Sequence, residues 1–290
     1  MDNVSVIIPN YNYGRFLREA VDSALGQTVA PHEVIVVDDG STDDSGEILA
    51  SYGERIIVIR QQNQGVGAAR NKGAEIATGE FLAFLDADDY WAPTKLEKQL
   101  AVFESDPEIG LVHCGFQNVD ADSKLLDANL SGSEGWVADK LLRFEPSITA
   151  PGGTTMIRRE GFWSVGGYDA NPNLHPSEDW DLSYRIARKW KYGFVSEPLL
   201  FYRQHGKGGH TNIARMERAM LIGFGKAFAD DRELHPIKNE CYAKLYLVLA
   251  GSYFQAGQYG GFLRNAAKSI WRRPANLRYF LEFPIRRLRR

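Results

Sequence analysis

Cysteine is nearly absent: Cys114 and Cys241 are the only two in 290 residues, far apart and in no metal-ligand spacing. That excludes a disulfide framework and a cysteine-built zinc site, and it fits free thiols in a reducing compartment. Long apolar runs are missing too. None reaches the roughly 18 residues that a membrane-spanning helix needs, and the opening MDNVSVIIPNYN enters a strand pattern without a basic segment or cleavage site. The bulk of the chain is therefore expected in the cytoplasm. No G-x-G-x-x-G turn follows the first strand, so the GVG at 65 to 67 is no Rossmann fingerprint. With 44% hydrophobic and 24% charged residues the chain is not disordered, and it suits one large domain or one domain with an appendage.

What is present is charge in particular places. In FLAFLDADDYW, residues 81 to 91, an apolar run ends in Asp86, Asp88 and Asp89. Phe81 to Leu85 read as a strand covered on both faces, whose first chance to carry charge is its carboxyl end, the edge where open α/β sheets bind ligands. One Asp would serve to cap a helix beginning near Pro93, but three repel one another unless Mg²⁺ or Mn²⁺ offsets them. The net charge of −3 is also uneven. From Arg264 onward nine basic residues face Glu282 alone, +8 for this tail and −11 for everything before it. Trp271, Leu277, Tyr279, Phe280 and Leu281 are interleaved with those arginines. The tail either sits on an anionic membrane surface or packs its apolar side on the preceding helices with its arginines in water. Nucleic acid is not expected as a partner, because the body that would approach the phosphates is acidic.

The first half alternates strand and helix signals: strands at 4 to 8, 33 to 37, 56 to 59 and 81 to 85, with helices at 16 to 25, from a Thr42 or Asp43 cap to about 53, and at 67 to 77. This βαβαβαβ series predicts an α/β fold with a mostly parallel, doubly wound sheet. Beyond it a helix to about 104, a strand at 110 to 116, a glycine-rich strand GGTTMI at 152 to 157, a short helix and turn at 161 to 169, a helix at 178 to 189 and a return strand at 194 to 201 are expected. From Thr211 the pattern is helical, so residues 1–210 are read as the sheet domain and 211–290 as a helical C-terminal region.

Three strand ends converge on one edge of such a sheet. PNYN brings Pro9 and Tyr11, the latter able to stack on a base; VVDDGSTDDS brings Asp39, able to accept the imide N–H of a uracil. The third end is the acidic cluster. Between them NQGVGAARNKG brings Arg70, suited to a phosphate or to tying a carboxylate in place.

Taken jointly, SVIIPNYN (5 to 12), VVDDGSTDDS (36 to 45), NQGVGAARNKG (63 to 73), LDADD (85 to 89) and SEDWDLSYR (177 to 185) resemble the family-two glycosyltransferases of the GT-A fold, over about residues 3 to 205. The resemblance implies a nucleotide-diphosphate-sugar donor, a divalent cation (Mn²⁺ or Mg²⁺) on a D-x-D motif, and transfer of a hexosyl group with inversion. On that pattern Asp88 is the direct metal ligand, Asp86 is shared between metal and ribose, and Asp179, the second acid of the Glu178–Asp179 pair, is the base. Acids in a first helical turn are favoured by the dipole in any case, and a helix start should lower the carboxylate's pKa. His205 of YRQH, with His210 as rival, could complete the metal shell, and Lys207 in GKGGHT could neutralise phosphate. The Q-x-x-R-W motif of processive relatives is missing, which predicts one sugar per encounter. The acceptor expected from the basic tail is a glycan or lipid-linked glycan of surface polysaccharide synthesis, with the enzyme peripheral on the inner face of the membrane. The donor base reads as uracil or thymine, with guanine left open. A sugar nucleotidyltransferase would instead show a basic glycine-rich loop after strand one, and a silent carbohydrate- or nucleotide-binding protein would need neither the D-x-D cluster nor Asp179.

Overall fold

The computed structural model describes residues 3–145, 152–205, 212–230 and 232–287. Strand β1 (Val4–Asn10) is buried along its whole length, so it has no solvent face and must be covered twice. Alternation divides the labour: Val4, Val6 and Ile8 join a core with Leu17, Ala20, Val21 and Ala24 of helix α1 (Gly14–Leu25). The chain then alternates through β2 (Glu33–Asp38), α2 (Ser45–Ala50), β3 (Ile57–Arg60), α3 (Val66–Ile76) and β4 (Phe81–Phe84). Helix α3 covers the other face of β1. Its Gly73 is what lets it come so close, since a Cβ there would stand 2.5 Å from Ile7 Cγ2. The approach sets Arg70, one turn earlier on α3, against the ends of the strands.

Next come β5 (Tyr90–Trp91), α4 (Lys95–Ser105), β6 (Ile109–Asp120), β7 (Leu125–Asn129), α5 (Ala138–Leu142), β8 (Met156–Arg158), α6 (Arg159–Ser164), α7 (Glu178–Ala187) and β9 (Lys191–Gln204). Among the described residues these strands form one nine-stranded sheet in the order β3-β2-β1-β4-β8-β6-β9-β5, with β7 beside β6. β3, β2, β1 and β4 are parallel, β8 is antiparallel to both β4 and β6, and β9 is parallel to β6. The expected doubly wound α/β sheet is present, extended by the reversed β8 and the β6–β9 pair.

Two local expectations are corrected and a third is extended. The return strand is 14 residues long rather than eight, because pairing with β6 holds its mixed, half-buried ends where no apolar run announces a strand. In GGTTMI only the last two residues are strand; Gly152–Thr154 is a 3₁₀ turn. Asp43 does bond the start of α2, through Ser45 N at 3.1 Å, but its other oxygen takes Gly14 N, the first amide of α1, at 2.9 Å.

The chain divides into two compact units. The first, residues 1–138, 146–172 and 178–208, holds the sheet and its helices. The second, residues 139–145, 173–177 and 209–290, holds α8 (Ile213–Asp230), α9 (Lys238–Gln255), α10 (Tyr259–Arg272) and α11 (Asn276–Arg287). In the second unit α10 packs on α9: Ser269 Oγ donates to the Ala243 carbonyl at 2.7 Å, and buried Glu217 of α8 accepts from Tyr253 and Arg264. The face of α10 away from α9 is apolar. Leu263 and Trp271 stand 64% and 79% exposed, and on α11 Leu277 and Leu281 are 48% and 70% exposed. The arginines do not simply float in water, because Arg264, Arg273 and Arg278 reach Glu217, Glu240 and Glu282. No described helix is long and apolar enough to cross a membrane.

Candidate active site

The ends of β1 and β2 are stapled to each other by side chains rather than by strand pairing alone. Asn10 Nδ2 donates to Ser41 Oγ at 3.0 Å, and Asn12 Oδ1 accepts from Thr42 N at 2.7 Å. Pro9 is buried within β1, and Tyr11, just past the strand, is 47% exposed at the same edge. Asp39, at the end of β2, is buried and holds the segment before α3: Oδ1 accepts from Gln61 Nε2 (2.7 Å) and Gln64 N (2.9 Å), Oδ2 from Gly65 N (2.8 Å). Oδ2, with one donor, keeps a lone pair.

Arg70 is the centre of the site. Fully buried, it donates Nη2 to Asp86 Oδ1 at 2.7 Å and Nη1 to Asp179 Oδ1 at 2.9 Å, with Glu178 Oε1 at 3.6 Å. Its guanidinium lies 5.1 Å over the Tyr168 ring. Burial disfavours its charge, but Asp179, Asp86 and Glu178 outweigh burial, and its proton is held more tightly than usual. One cation thus joins three carboxylates from two remote stretches of sequence, in a place where none could be left unpaired cheaply.

Asp179 opens α7, where a lowered pKa was expected. The opposite holds: its carboxyl is pushed up to about 6, by burial first, with Glu178 and Asp86 adding to the rise while Arg70 and the Tyr168 hydroxyl oppose it. Desolvation of the carboxylate outweighs the helix start. The turn Gly152–Thr154 lies against this carboxylate, and a Cβ at 152 would come within 2.8 Å of Asp179 Oδ1. The glycines of GGTTMI therefore make room for a side chain of the protein itself. Trp91 Nε1 donates to Gly153 O and Gln99 Nε2 to Thr154 O, both at 2.9 Å, which fixes the turn from beneath.

On the other side of the D-x-D motif Asp88 Oδ2 lies 2.9 Å from His205 Nε2, whose ring rests on Phe16 and edge-on to Tyr13. Asp89 does not cap the following helix, which starts at Lys95 without a side-chain cap. It is turned inward instead: Oδ1 accepts from Arg203 N at 2.8 Å, and the buried Oδ2 has no partner among the described residues. Burial, then the charges of Asp88 and Asp86, push its carboxyl well above the usual range. Arg203 itself is spent on structure. Its guanidinium donates to Asp88 O and Ser123 Oγ at 2.8 and 2.9 Å and pairs with Glu19. Lys207 and His210 lie outside the described residues. Cys114 and Cys241 are both buried, and burial pushes each thiol up to about 11, which removes them as nucleophiles.

Among the described residues no three His, Cys, Asp or Glu side chains gather as a complete metal centre. The pair Asp88–His205, with Oδ2 of Asp86 still unshared by Arg70, nevertheless suits a hard divalent cation that takes one or two protein ligands and completes its shell from substrate phosphate oxygens. Tyr168, Gln61, Arg203 and the Trp91–Gln99 support carry no site signal of their own in the sequence. Only GGYD, read as a turn, marked the first of these.

The family model described as Glycosyl transferase family 2 matches residues 5–166. An uncharacterized glycosyltransferase of Nostoc sp. is 36% identical over 73% of this chain and 67% of its own length, and one of Rickettsia typhi is 34% identical over 77% and 71%. Among solved structures, S. aureus TarS 1-349 in complex with UDP-GlcNAc superposes with a TM-score of 0.63 at 15% identity, covering 94% of this chain and 92% of that one. The mannosyltransferase PcManGT from Pyrobaculum calidifontis in complex with GDP-Man and Mn²⁺ gives 0.63 at 22% identity, covering 92% and 73%. Both likenesses are of fold.

Proposed function

The chain belongs to glycosyl transferase family 2 and is a glycosyltransferase, and from its site we propose that it moves one hexosyl group, with inversion, from a nucleotide-diphosphate sugar to a hydroxyl of a glycan or lipid-linked acceptor. The observation that carries this is the Arg70 bridge, which holds the D-x-D motif and the Glu178–Asp179 pair in a single cleft. Donor and acceptor chemistry need those two groups on either side of one anomeric carbon. Tyr11 and Asp39 receive the base, a UDP or dTDP donor fitting the Asp39 acceptor, and Pro9 shapes the floor beneath it. Lys207, by its charge, is proposed to neutralise phosphate. The relatives named above include one solved with UDP-GlcNAc and one with GDP-Man, which supports the donor class without choosing the sugar.

Asp88, Asp86 and His205 would hold Mn²⁺ or Mg²⁺, and a bound cation would offset the charge that grows on the leaving diphosphate. The protein's own residues do the rest. Asp179, ionised above pH 6 or so, takes the proton of the acceptor hydroxyl; the oxygen's electron pair forms the new bond to the anomeric carbon, and the diphosphate leaves with the pair of the bond that breaks. Asp88→Ala should weaken donor binding and turnover together, each by at least about tenfold, as read by calorimetric titration of UDP-, dTDP- and GDP-sugars with Mn²⁺ and by nucleoside diphosphate release. Unchanged binding would remove Asp88 from the donor site. Release of nucleoside diphosphate from no donor in that panel, with acceptor glycans present, would count against the transferase reading itself.

Unit two supports a reading of the acceptor class and the place of work. The outward face of α10 and α11, with Leu263, Trp271, Leu277 and Leu281 exposed and Arg273 and Arg278 nearby, has the make-up of a helix pair lying in the surface of an anionic bilayer. Such placement would bring a peripheral enzyme to lipid-linked acceptors of surface polysaccharide. Sedimentation with phosphatidylglycerol vesicles should fall about tenfold for Trp271→Glu, and fall also at high salt. Equal sedimentation of variant and wild type would exclude this face as the anchor. Residues 1–210 are proposed as the catalytic domain and 211–290 as the anchoring region.

A further inference from the structure

The base proposed above presents two oxygens that are not equivalent. Asp179 Oδ1 carries both of the carboxylate's protein donors, Arg70 Nη1 at 2.9 Å and the Tyr168 hydroxyl at 3.0 Å. No donor among the described residues bonds Oδ2, although the side chain is still 32% exposed. A carboxylate gripped by one oxygen and open at the other has a fixed plane and a fixed free lone pair. That is what a base needs in order to meet a hydroxyl at one angle.

Both grips are built from adjacent residues. Arg70 is on α3, and its neighbour Asn71 clasps the backbone of Tyr168 from both sides: Asn71 Oδ1 accepts from Tyr168 N at 2.9 Å, and Asn71 Nδ2 donates to Tyr168 O at 2.8 Å. The Tyr168 ring is wedged edge-on against Phe84 and Phe162, at centroid distances of 5.4 and 5.8 Å, with the Arg70 guanidinium over its face. The hydroxyl therefore cannot swing away. An ordinary core tyrosine would bury its ring and send its hydroxyl to a backbone carbonyl, as Tyr192 does with Ser183 O. This one ends on the partly exposed carboxylate of Asp179.

Resting on Asp179 as the base, we infer that Tyr168 is its positioning residue: with Arg70 it pins Oδ1, so that Oδ2 alone receives the acceptor's proton. The groups that face this carboxylate are Arg70 from α3, Asp86 after β4, Glu178 on its own helix and Tyr168 itself. Arg70 and the Tyr168 hydroxyl favour the ionised form, while Glu178 and Asp86 oppose it. Removing the hydroxyl must then raise the pH at which the base is lost. The acid limb of activity moves up, never down.

The test uses the full-length enzyme with the UDP-, dTDP- or GDP-sugar that gives most turnover, in Tyr168→Phe and Asp179→Asn side by side. For Tyr168→Phe we expect kcat at pH 6.5 to fall about tenfold, the acid limb to rise by about one pH unit, and the donor KM and melting temperature to stay as in the wild type. A ¹³C-aspartate NMR titration of the free enzyme, with Asp179→Asn assigning the resonance, should show the same rise with no donor present. A limb and titration that stay in place, whether or not kcat falls, would reduce Tyr168 to packing and overturn the inference. Transfer that survives in Asp179→Asn would overturn the base assignment itself, a separate failure and one read from a different variant.

Discussion

Asp179→Asn is expected to lower kcat by about 10³-fold while leaving the donor's dissociation constant within about threefold of the wild type. Asparagine keeps the size of the side chain and can still accept from Arg70 and Tyr168 through its carbonyl oxygen, so the cleft need not rearrange. What is lost is the capacity to bind a proton in the transition state, worth about 4 kcal/mol of barrier at that fold-change. The pH profile of the unaltered enzyme carries the same information. Asp179 accepts a proton only when ionised, so with its carboxyl near 6, kcat should fall as pH drops through about 6 and level off above about 7. A helix-start carboxylate of ordinary or lowered pKa would keep the enzyme active well below pH 5. Stopped-flow or coupled measurement of nucleoside diphosphate release between pH 4.5 and 8.5 separates the two. Loss of donor binding in Asp179→Asn would instead assign this residue to the donor, and the base would have to be sought elsewhere.

The second large effect is on stability. Arg70→Met keeps the apolar stem of the side chain but takes from Asp86 and Asp179 the guanidinium that bonds both. Removing one partner of a buried ionic group typically costs about 3–5 kcal/mol, because the remaining charges stay desolvated. For a chain of this size that is a melting temperature lower by roughly 10 °C. The loss should shrink at low pH, since protonating the orphaned carboxylates relieves their repulsion; the sign follows from Arg70 holding Asp179 below the value that burial and Glu178 would otherwise impose. Differential scanning calorimetry at pH 5 and pH 8 would read both parts. A variant as stable as the wild type at pH 8 would mean that another cation or solvent reaches Asp86 and Asp179.

Much of this architecture was legible because burial writes itself into sequence. The runs VSVII, EVIVV and FLAFL have no polar alternation, and residues without a solvent face can only be inner strands. The conjunction of Asp86, Asp88, Asp179 and Arg70 was legible by resemblance, as a set of motifs. Its geometry was not. Nothing in NQGVGAARNKG says that Arg70 will spend its donors on two carboxylates instead of on a phosphate, since that depends on how near Gly73 lets α3 come to Ile7. One aspartate of the cluster reads as a cap because the cluster precedes a helix, and Asp89 stands last in it. Asp89 is turned inward by Arg203 N, more than a hundred residues away, and pairing at that range leaves no local trace. The pKa of Asp179 was misjudged for a related reason: a helix start is visible in sequence, whereas the amount of protein closing over the carboxylate is a property of the assembled fold. Strand β9 was underestimated because its ends are half exposed and owe their extended form to β6 rather than to their own composition.

That strand also measures distance. Arg203, which grips the backbone of Asp88, and His205, which meets its carboxylate, follow one another two residues apart at the end of a 14-residue ribbon. Successive side chains in a ribbon face opposite ways, so a single residue added between Leu200 and Arg203 would turn both away from the acidic cluster at once, without changing one residue of the cluster itself. Side chains along the ribbon can be exchanged within the limits of packing. Its length is the dimension that a chimera or a loop graft in this enzyme has to leave untouched.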